Sequence, residues 1–307
     1  MAKVLVTGAA GFVGSHTVEG LLAAGHDVTG VDNLSTGREE NLVLFAGHPR
    51  WRFVRQDILD VENFNQTVRT AKPDVILHLA ALVSVPESIA NLRLNFEQNI
   101  RAVHVVTDAA VKTGVRRLVF ASSAAVYGES DALPFAEESP TRPLNPYGEA
   151  KLAGESLVLK QGREHGFEAV CLRYFNIYGP RQPGDSPYSG VVSRFLNRLR
   201  AAQPLLIFGD GLQTRDFIHV LDVARANVLA VGAPAPFKGV FNICTGREVA
   251  VNELAAALRS KFAAPPDPIF APRQPMDVRR SAGSPARARE VFGFSARIAL
   301  AAGLNEF

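Results

Sequence analysis

Cysteine is scarce in this chain: Cys171 and Cys244 are the only two in 307 residues, and both lie within apolar runs. Such usage excludes a disulfide framework and points to buried thiols. The seven histidines are scattered with no paired spacing, so no metal centre is expected. No stretch approaches the roughly 18 uninterrupted apolar residues of a membrane span. The opening Met1-Ala-Lys-Val-Leu-Val-Thr-Gly lacks the apolar region and small-residue cleavage site of a secretory leader, so the cytoplasm is the expected location. Internal repeats, low-complexity tracts, a Gly-x-Ser-x-Gly elbow and a Walker loop are also absent. Charge is nearly balanced, with 33 Lys and Arg against 30 Asp and Glu. The basic residues are dispersed rather than interleaved with aromatics, so a nucleic-acid surface is not expected despite a pI near 9.0. One local excess stands out: in residues 273–297 six arginines face only Asp277 and Glu290, which suits a small anionic ligand.

What remains is an ordinary globular composition, 47% hydrophobic and 21% charged, in a chain long enough for roughly two domains. Short Val/Leu/Ile-rich runs at Lys3–Thr7, Asp27–Val31, Arg52–Gln56, Asp74–Leu79, Arg117–Ala121 and Glu168–Tyr174 alternate with helical patterns. Near-continuous apolar runs separated by helices imply a parallel sheet covered on both faces. Helices are expected from about Phe12 to Ala24 and from about Asn91 to Thr113. The second of these would put Leu92, Phe96, Ile100, Val103 and Ala110 on one inward stripe. A third is expected from about Pro146 to Gly166. The fold class is therefore α/β, a Rossmann-type doubly wound parallel sheet. Beyond Tyr174 the rhythm changes. Residues 179–187 read as a loop, a helix follows over about 190–201, and proline density rises. We expect residues 1–174 with about 217–245 to form the dinucleotide-binding domain, with strands Phe217–Val220 and Gly239–Ile243 returning to the sheet. Residues of about 175–216 and 246–307 would form a smaller interleaved substrate domain.

The first strand runs into Thr7-Gly8-Ala9-Ala10-Gly11-Phe12-Val13-Gly14 and then a helix. Glycines permit a tight turn and close backbone approach to a pyrophosphate, and the helix N-terminus favours its charge. The spacing is G-x-x-G-x-x-G, one residue away from the commoner fingerprint, but its strand–turn–helix context is the required one. Asp32, 21 residues beyond Gly11, ends the second strand. Its carboxylate can accept from ribose hydroxyls and would repel a 2′-phosphate, which favours NAD over NADP. Asp57, at the end of the third strand, is placed to meet the adenine.

Tyr147-Gly-Glu-Ala-Lys151 sets a phenol and an ammonium at i and i+4 on one helical face. A neighbouring cation stabilises a phenolate, so Lys151 is expected to draw the Tyr147 pKa from about 10 toward neutrality. Ser122-Ser123 ends the fifth strand at the same sheet edge. Ser123, Tyr147 and Lys151 then form a proton relay beside a hydride acceptor.

These motifs carry a resemblance. With Val31-Asp-Asn-Leu-Ser-Thr-Gly37, His78-Leu-Ala-Ala81, Ser122–Gly128, Leu172–Arg181 and Gly209–Val220, the whole chain resembles the extended short-chain dehydrogenase/reductase superfamily. Within it the chain looks like the NAD-dependent nucleotide-sugar epimerases and dehydratases, of the UDP-glucose 4-epimerase type. The resemblance implies NAD as cofactor, a UDP-sugar as substrate (UDP-glucose and UDP-galactose first, with a UDP-N-acetylhexosamine or UDP-hexuronic acid as the alternative), and a homodimer joined through the helices at 91–113 and 146–166. It implies that Tyr147 is the general base and acid, that Lys151 holds the nicotinamide ribose, and that Ser123 bonds the sugar O4. Gly8, Gly11, Phe12 and Val13 would meet the pyrophosphate, and Asp32, Asn33, Asp57 and Ile58 the adenosine. Leu79, Ala80, Ala81, Asn99, Ser122 and Tyr174 would line or support the rest of the cofactor site. Asn176, Arg215 and Arg273 would bind the nucleotide diphosphate.

Two departures stand out. The family's late Arg-x-Gly-Asp appears as Arg273-Gln-Pro-Met-Asp277, which leaves Arg273 and Arg279 both open as the diphosphate ligand. The usual later Asp is Ser284. Relatives that dehydrate or decarboxylate carry an acid after the strand-end serine or threonine. Here those positions are Ala124 and Ala125, which favours epimerisation. A non-catalytic NAD-binding protein is the other alternative, and it would have no need of the relay.

Overall fold

The computed structural model describes residues 1–184, 190–274 and 276–307. Residues 185–187 of the expected loop lie outside the described residues. Strands β1 (Lys3–Thr7), β2 (Asp27–Asp32), β3 (Trp51–Arg55), β4 (Val75–His78), β5 (Arg117–Ser123) and β6 (Glu168–Tyr174) follow the apolar runs of the sequence to within a residue or two. Later come β7 (Asn176–Tyr178), β8 (Leu206–Phe208), β9 (Thr214–Arg215), β10 (Phe217–His219), β11 (Gly239–Ile243), β12 (Val249–Ala250), β13 (Ile269–Ala271) and β14 (Arg280–Ser281). Seven strands build the central sheet in the order β11-β6-β5-β4-β1-β2-β3, every pair parallel.

The expected return of strand 217–220 to that sheet is corrected. Strand β10 instead pairs with β7 in a separate two-stranded sheet, because β11 takes the edge position beside β6. The remaining short strands form β12-β9-β14 and β13-β8.

Helices α1 (Phe12–Ala23), α2 (Glu40–Val43), α3 (Val61–Ala71), α4 (Val85–Ala90), α5 (Leu92–Phe96), α6 (Ala102–Thr113), α7 (Pro146–His165), α8 (Val191–Arg200), α9 (Val220–Gly232), α10 (Val251–Arg259), α11 (Ala286–Phe292) and α12 (Leu300–Gly303) surround these strands. Alternation along β1 shows how the layers form. Val4 and Val6 face a core shared with Val18 and Leu21 of α1 and Val223 of α9. Leu5 faces the opposite core, with Phe64 of α3, Val106 of α6 and Val158 of α7. Both sheet faces are therefore dry, which is why the strands read as unbroken apolar runs. Each fully buried Val, Leu or Phe contributes about 1.5–3 kcal/mol. A third core, with Phe195 and Leu199 of α8, Ile207 of β8 and Leu254 of α10, lies beside the sheet.

The expected single helix over 91–113 is broken. Helix α5 ends at Phe96, a π-helical turn spans Glu97–Arg101, and α6 follows. A π turn shifts the phase of the inward face. Leu92 and Phe96, expected inside, are 62% and 51% exposed, while Asn95 and Asn99 are buried.

Candidate active site

The carboxyl ends of the parallel strands share one edge of the sheet, and the strand order reverses beside β1, which lies between β2 and β4. A crevice outside such a switch point is where an open α/β sheet receives ligands. Gly8 leaves β1 with φ +71°, and a Cβ there would come within 2.8 Å of the Ala80 nitrogen. Only glycine lets the two strand-end loops close on each other. Thr7 ties them further: its Oγ1 accepts from the Leu79 and Ala80 amides at 3.2 and 3.3 Å and lies 2.7 Å from His78 Nδ1. Burial first, and the nearby Lys151 charge second, hold His78 neutral with a pKa of about 3.

Helix α1 opens at Phe12 with Gly11 as N-cap, no side-chain cap and no acid in its first turn. Its first amides and its positive dipole end are left to a ligand anion. Asp32 is buried at the end of β2, accepting from Ala10 N at 2.9 Å and Leu34 N at 2.8 Å. Burial pushes its carboxyl pKa up while these two amides pull it down. Asn33 donates to Asp57 at 2.9 Å, and Ile58 is buried beside them. An uncapped helix start, a buried acceptor one strand away and a glycine-closed loop fit a dinucleotide. Ala81, partly exposed, follows Ala80 on the same loop. Asn99 lies on the π turn and clamps Leu82 through both its amide and its carbonyl, at 3.0 and 2.9 Å. Its polar atoms are committed to that loop and to Asn95.

The chemical end is built by α7. Asn145 caps it by accepting from Gly148 N at 2.9 Å, and Pro146 occupies its first turn. Gly148 lets the helix approach the segment after β5: a Cβ there would sit 2.7 Å from the Ala125 oxygen. That approach brings the Tyr147 hydroxyl into hydrogen-bonding reach of Ser123. Lys151 is buried, its Nζ donating to the Ala121 carbonyl at 2.9 Å and lying 5.8 Å from the Tyr147 ring centroid.

The expectation that Lys151 draws the Tyr147 pKa down is corrected. Burial holds the phenol above its ordinary value, and Ser123 alone counteracts this, because the ammonium faces the Ala121 carbonyl. Burial also lowers Lys151, to about 8.

Ser122 turns the other way and donates to Glu155 at 2.5 Å. Tyr174, paired with Ser123 in register, sends its hydroxyl to Asn227 at 2.6 Å, and Asn227 reaches Thr17 of α1 at 3.0 Å. Asn176 is partly exposed on β7, and its side-chain amide makes no hydrogen bond among the described residues.

An open cavity of about 540 Å³ is lined by Glu129, Leu144, Arg273, Gln274, Met276 and Asp277. Arg215 is paired with Asp277 and donates to the Thr214 carbonyl at 2.7 Å. Its guanidinium pKa is lowered by burial. Arg273 donates to the Asp277 backbone carbonyl at 2.6 Å and pairs with the Glu129 carboxylate at 3.4 Å. Arg279 grips Asp210 at 2.7 and 3.0 Å instead. Of the two late arginines left open by the sequence, Arg273 is the one on the cavity.

Sequence reasoning missed Arg194, within electrostatic reach of Asp277. It also missed the buried Glu155–Arg173 pair, with contacts at 2.8 and 2.7 Å. Glu155 lies one turn beyond Lys151 on the same helical face, and that spacing was the available signal.

Comparison with known proteins places this site in a family. The NAD dependent epimerase/dehydratase family matches residues 4–244. This chain belongs to that family. A UDP-glucose 4-epimerase of Mycolicibacterium smegmatis is 40% identical over 303 residues, covering 98% of this chain and 96% of the relative. Among solved members, the UDP-glucose 4-epimerase of Thermotoga maritima with UDP-glucose matches with a TM-score of 0.92 at 36% identity, over 99% of this chain and 96% of that one. The UDP-N-acetylglucosamine 4-epimerase of Methanobrevibacter ruminantium matches with a TM-score of 0.93 at 32% identity, over the same shares of each chain. The epimerase/dehydratase fold thus spans this chain nearly end to end.

Proposed function

We propose that this protein is an NAD-dependent 4-epimerase of a UDP-sugar, interconverting UDP-glucose and UDP-galactose through a 4-keto sugar. The observation that carries the reading is Tyr147 within hydrogen-bonding reach of Ser123, on a strand end whose next two residues, Ala124 and Ala125, offer no acid for elimination. Relatives and neighbours named as UDP-glucose 4-epimerases support the same activity. So does the UDP-glucose 4-epimerase of Thermus thermophilus in complex with NAD, with a TM-score of 0.89 at 35% identity, over 98% of this chain and 96% of that one.

In this reading the uncapped start of α1 binds the pyrophosphate and Asp32 accepts from the adenosine ribose. NAD, when bound, supplies hydride acceptance and return at C4 of the sugar. Ser123 orients the 4-hydroxyl, Tyr147 takes its proton and later gives it back, and Lys151 holds the nicotinamide ribose. Arg215, Arg273 and Asn176 grip the diphosphate, so the sugar turns over while its anchor stays fixed. The net reaction consumes no redox equivalent.

Residues 1–174 with about 217–245 hold the cofactor in this account, and about 175–216 with 246–307 hold the nucleotide sugar. The exposed Ile89, Leu92 and Phe96 support a homodimer through this helical face, and the cytoplasm is its place of work. Among the described residues, no helix is long and apolar enough to cross a membrane. The test is a nucleotide-sugar panel with chromatographic detection of the 4-epimer. Conversion of UDP-galactose supports the reading, and conversion of none of the UDP-hexoses overturns it.

A further inference from the structure

Lys151, which holds the nicotinamide ribose in the epimerase reading, carries a charge yet lies 3% exposed in a largely apolar setting. Its surroundings can be enumerated. From its own helix it faces Tyr147 and Glu155. From β5 it faces the Phe120 ring, with Nζ 5.1 Å from the centroid, and from β4 the neutral His78. Among the described residues, Glu155 is therefore the one carboxylate acting on it.

That carboxylate is itself 2% exposed and held by three donors. Arg173 of β6 approaches in a fork, Nε at 2.8 Å and Nη2 at 2.7 Å, and Ser122 donates at 2.5 Å. Arg173 is fixed in turn by the Tyr127 hydroxyl at 2.9 Å and the Glu137 carbonyl at 3.1 Å. Cys171 is the other titratable group within electrostatic reach of both Glu155 and Arg173, and burial keeps its thiol protonated. A bidentate guanidinium and a hydroxyl hold this one carboxylate in place. One turn along the helix, that carboxylate lies within electrostatic reach of the ammonium.

We propose that Glu155, clamped by Arg173 and Ser122, is a positioning residue that keeps Lys151 protonated and so sets the upper pH at which the Tyr147–Lys151 pair works. It touches neither substrate nor cofactor. Ser122 acquires a role through this arrangement: its hydroxyl completes the clamp on the face of β5 opposite to Ser123. The proposal rests on the epimerase reading for the kinetic consequence but not for the state of Lys151.

The test compares wild type with E155D and with the double variant E155Q/R173M. The double variant removes both buried charges together, and such replacements commonly fold where a single removal strands an unpaired ion. Two quantities are read against pH on the purified protein with its cofactor. One is the ¹³Cε NMR signal of Lys151, resolvable among seven lysines. The other is the 4-epimerisation rate. In E155Q/R173M the Lys151 titration and the alkaline limb of the rate should both move to lower pH by about one unit or more. E155D should keep both at their wild-type positions. A folded double variant with an unmoved Lys151 titration overturns the proposal and leaves Glu155 a structural partner of Arg173. If the wild type converts no nucleotide sugar, the epimerase reading falls, while the NMR titration still decides the role of Glu155.

Discussion

Replacing Arg215 by alanine tests the anion grip. The guanidinium is only 12% exposed at the side chain, so it works in a medium much poorer than water at screening charge. Its partner in the free protein is Asp277, one-third exposed and able to turn to solvent once the arginine is gone. The folded state should therefore lose no more than about 1 kcal/mol, the range of a pair open to water. Binding is a different matter. Truncating one member of a largely buried charge pair costs about 2–5 kcal/mol, part of it from leaving the diphosphate unmatched. At about 1.4 kcal/mol per decade, UDP should bind about 30-fold to a few thousand-fold more weakly. Arg215→Lys should fall between, because it keeps the charge and loses the planar fork. Calorimetric titration with UDP measures this directly, with thermal unfolding as the control. An unchanged dissociation constant in a folded Arg215→Ala protein refutes the placement of the diphosphate beside Arg215.

Three further perturbations follow the same logic. Tyr147→Phe should leave the protein folded with its cofactor retained, while 4-epimerisation drops at least about 10²-fold, as steady-state assays would register. Asp32→Ala should narrow the preference for NAD over NADP in a cofactor titration, since the buried carboxylate no longer opposes a 2′-phosphate; equal affinities already in the wild type would refute the role. Lys151→Met should abolish most activity yet raise the melting temperature at pH 7. The ammonium pKa falls on folding, from 10.5 to about 8, so burying the charged form destabilises the protein below pH 8. That penalty, of the order of 1–3 kcal/mol, lessens as pH rises from 8 to 10.5, so the wild type should gain stability over that window and the variant should not.

Much of this was legible before any coordinates. Strand β1 and strand β6 fall on the residues their apolar runs delimit, because a strand covered on both faces leaves no polar position to blur its ends. Helix α7 begins where Asn145 and Pro146 say it should and stops at Gly166, which takes the left-handed cap conformation. The helix over 91–113 was misread because a constant 3.6-residue period was carried through a π turn. Before that turn the apolar side chains of Leu92 and Phe96 point outward, and the amides of Asn95 and Asn99 hold backbone inside. The Glu155–Arg173 pair is only half legible: the spacing from Lys151 marks Glu155, but its partner sits on β6, and only the packing of α7 on that strand joins them. The tuning of Tyr147 was misjudged because the i, i+4 spacing fixes which face two residues share. It does not fix which acceptor a flexible ammonium chooses.

The central claim is that one site oxidises and re-reduces the same carbon of a nucleotide sugar without exchange with solvent. Incubating the purified protein with UDP-galactose in D₂O, with no reductant added, tests it most directly. UDP-glucose should form with protium retained at C4, as read by NMR and mass spectrometry, and Tyr147→Phe should suppress its formation. Deuterium at C4 of the product, or no 4-epimer from a folded, NAD-loaded protein, would contradict the account.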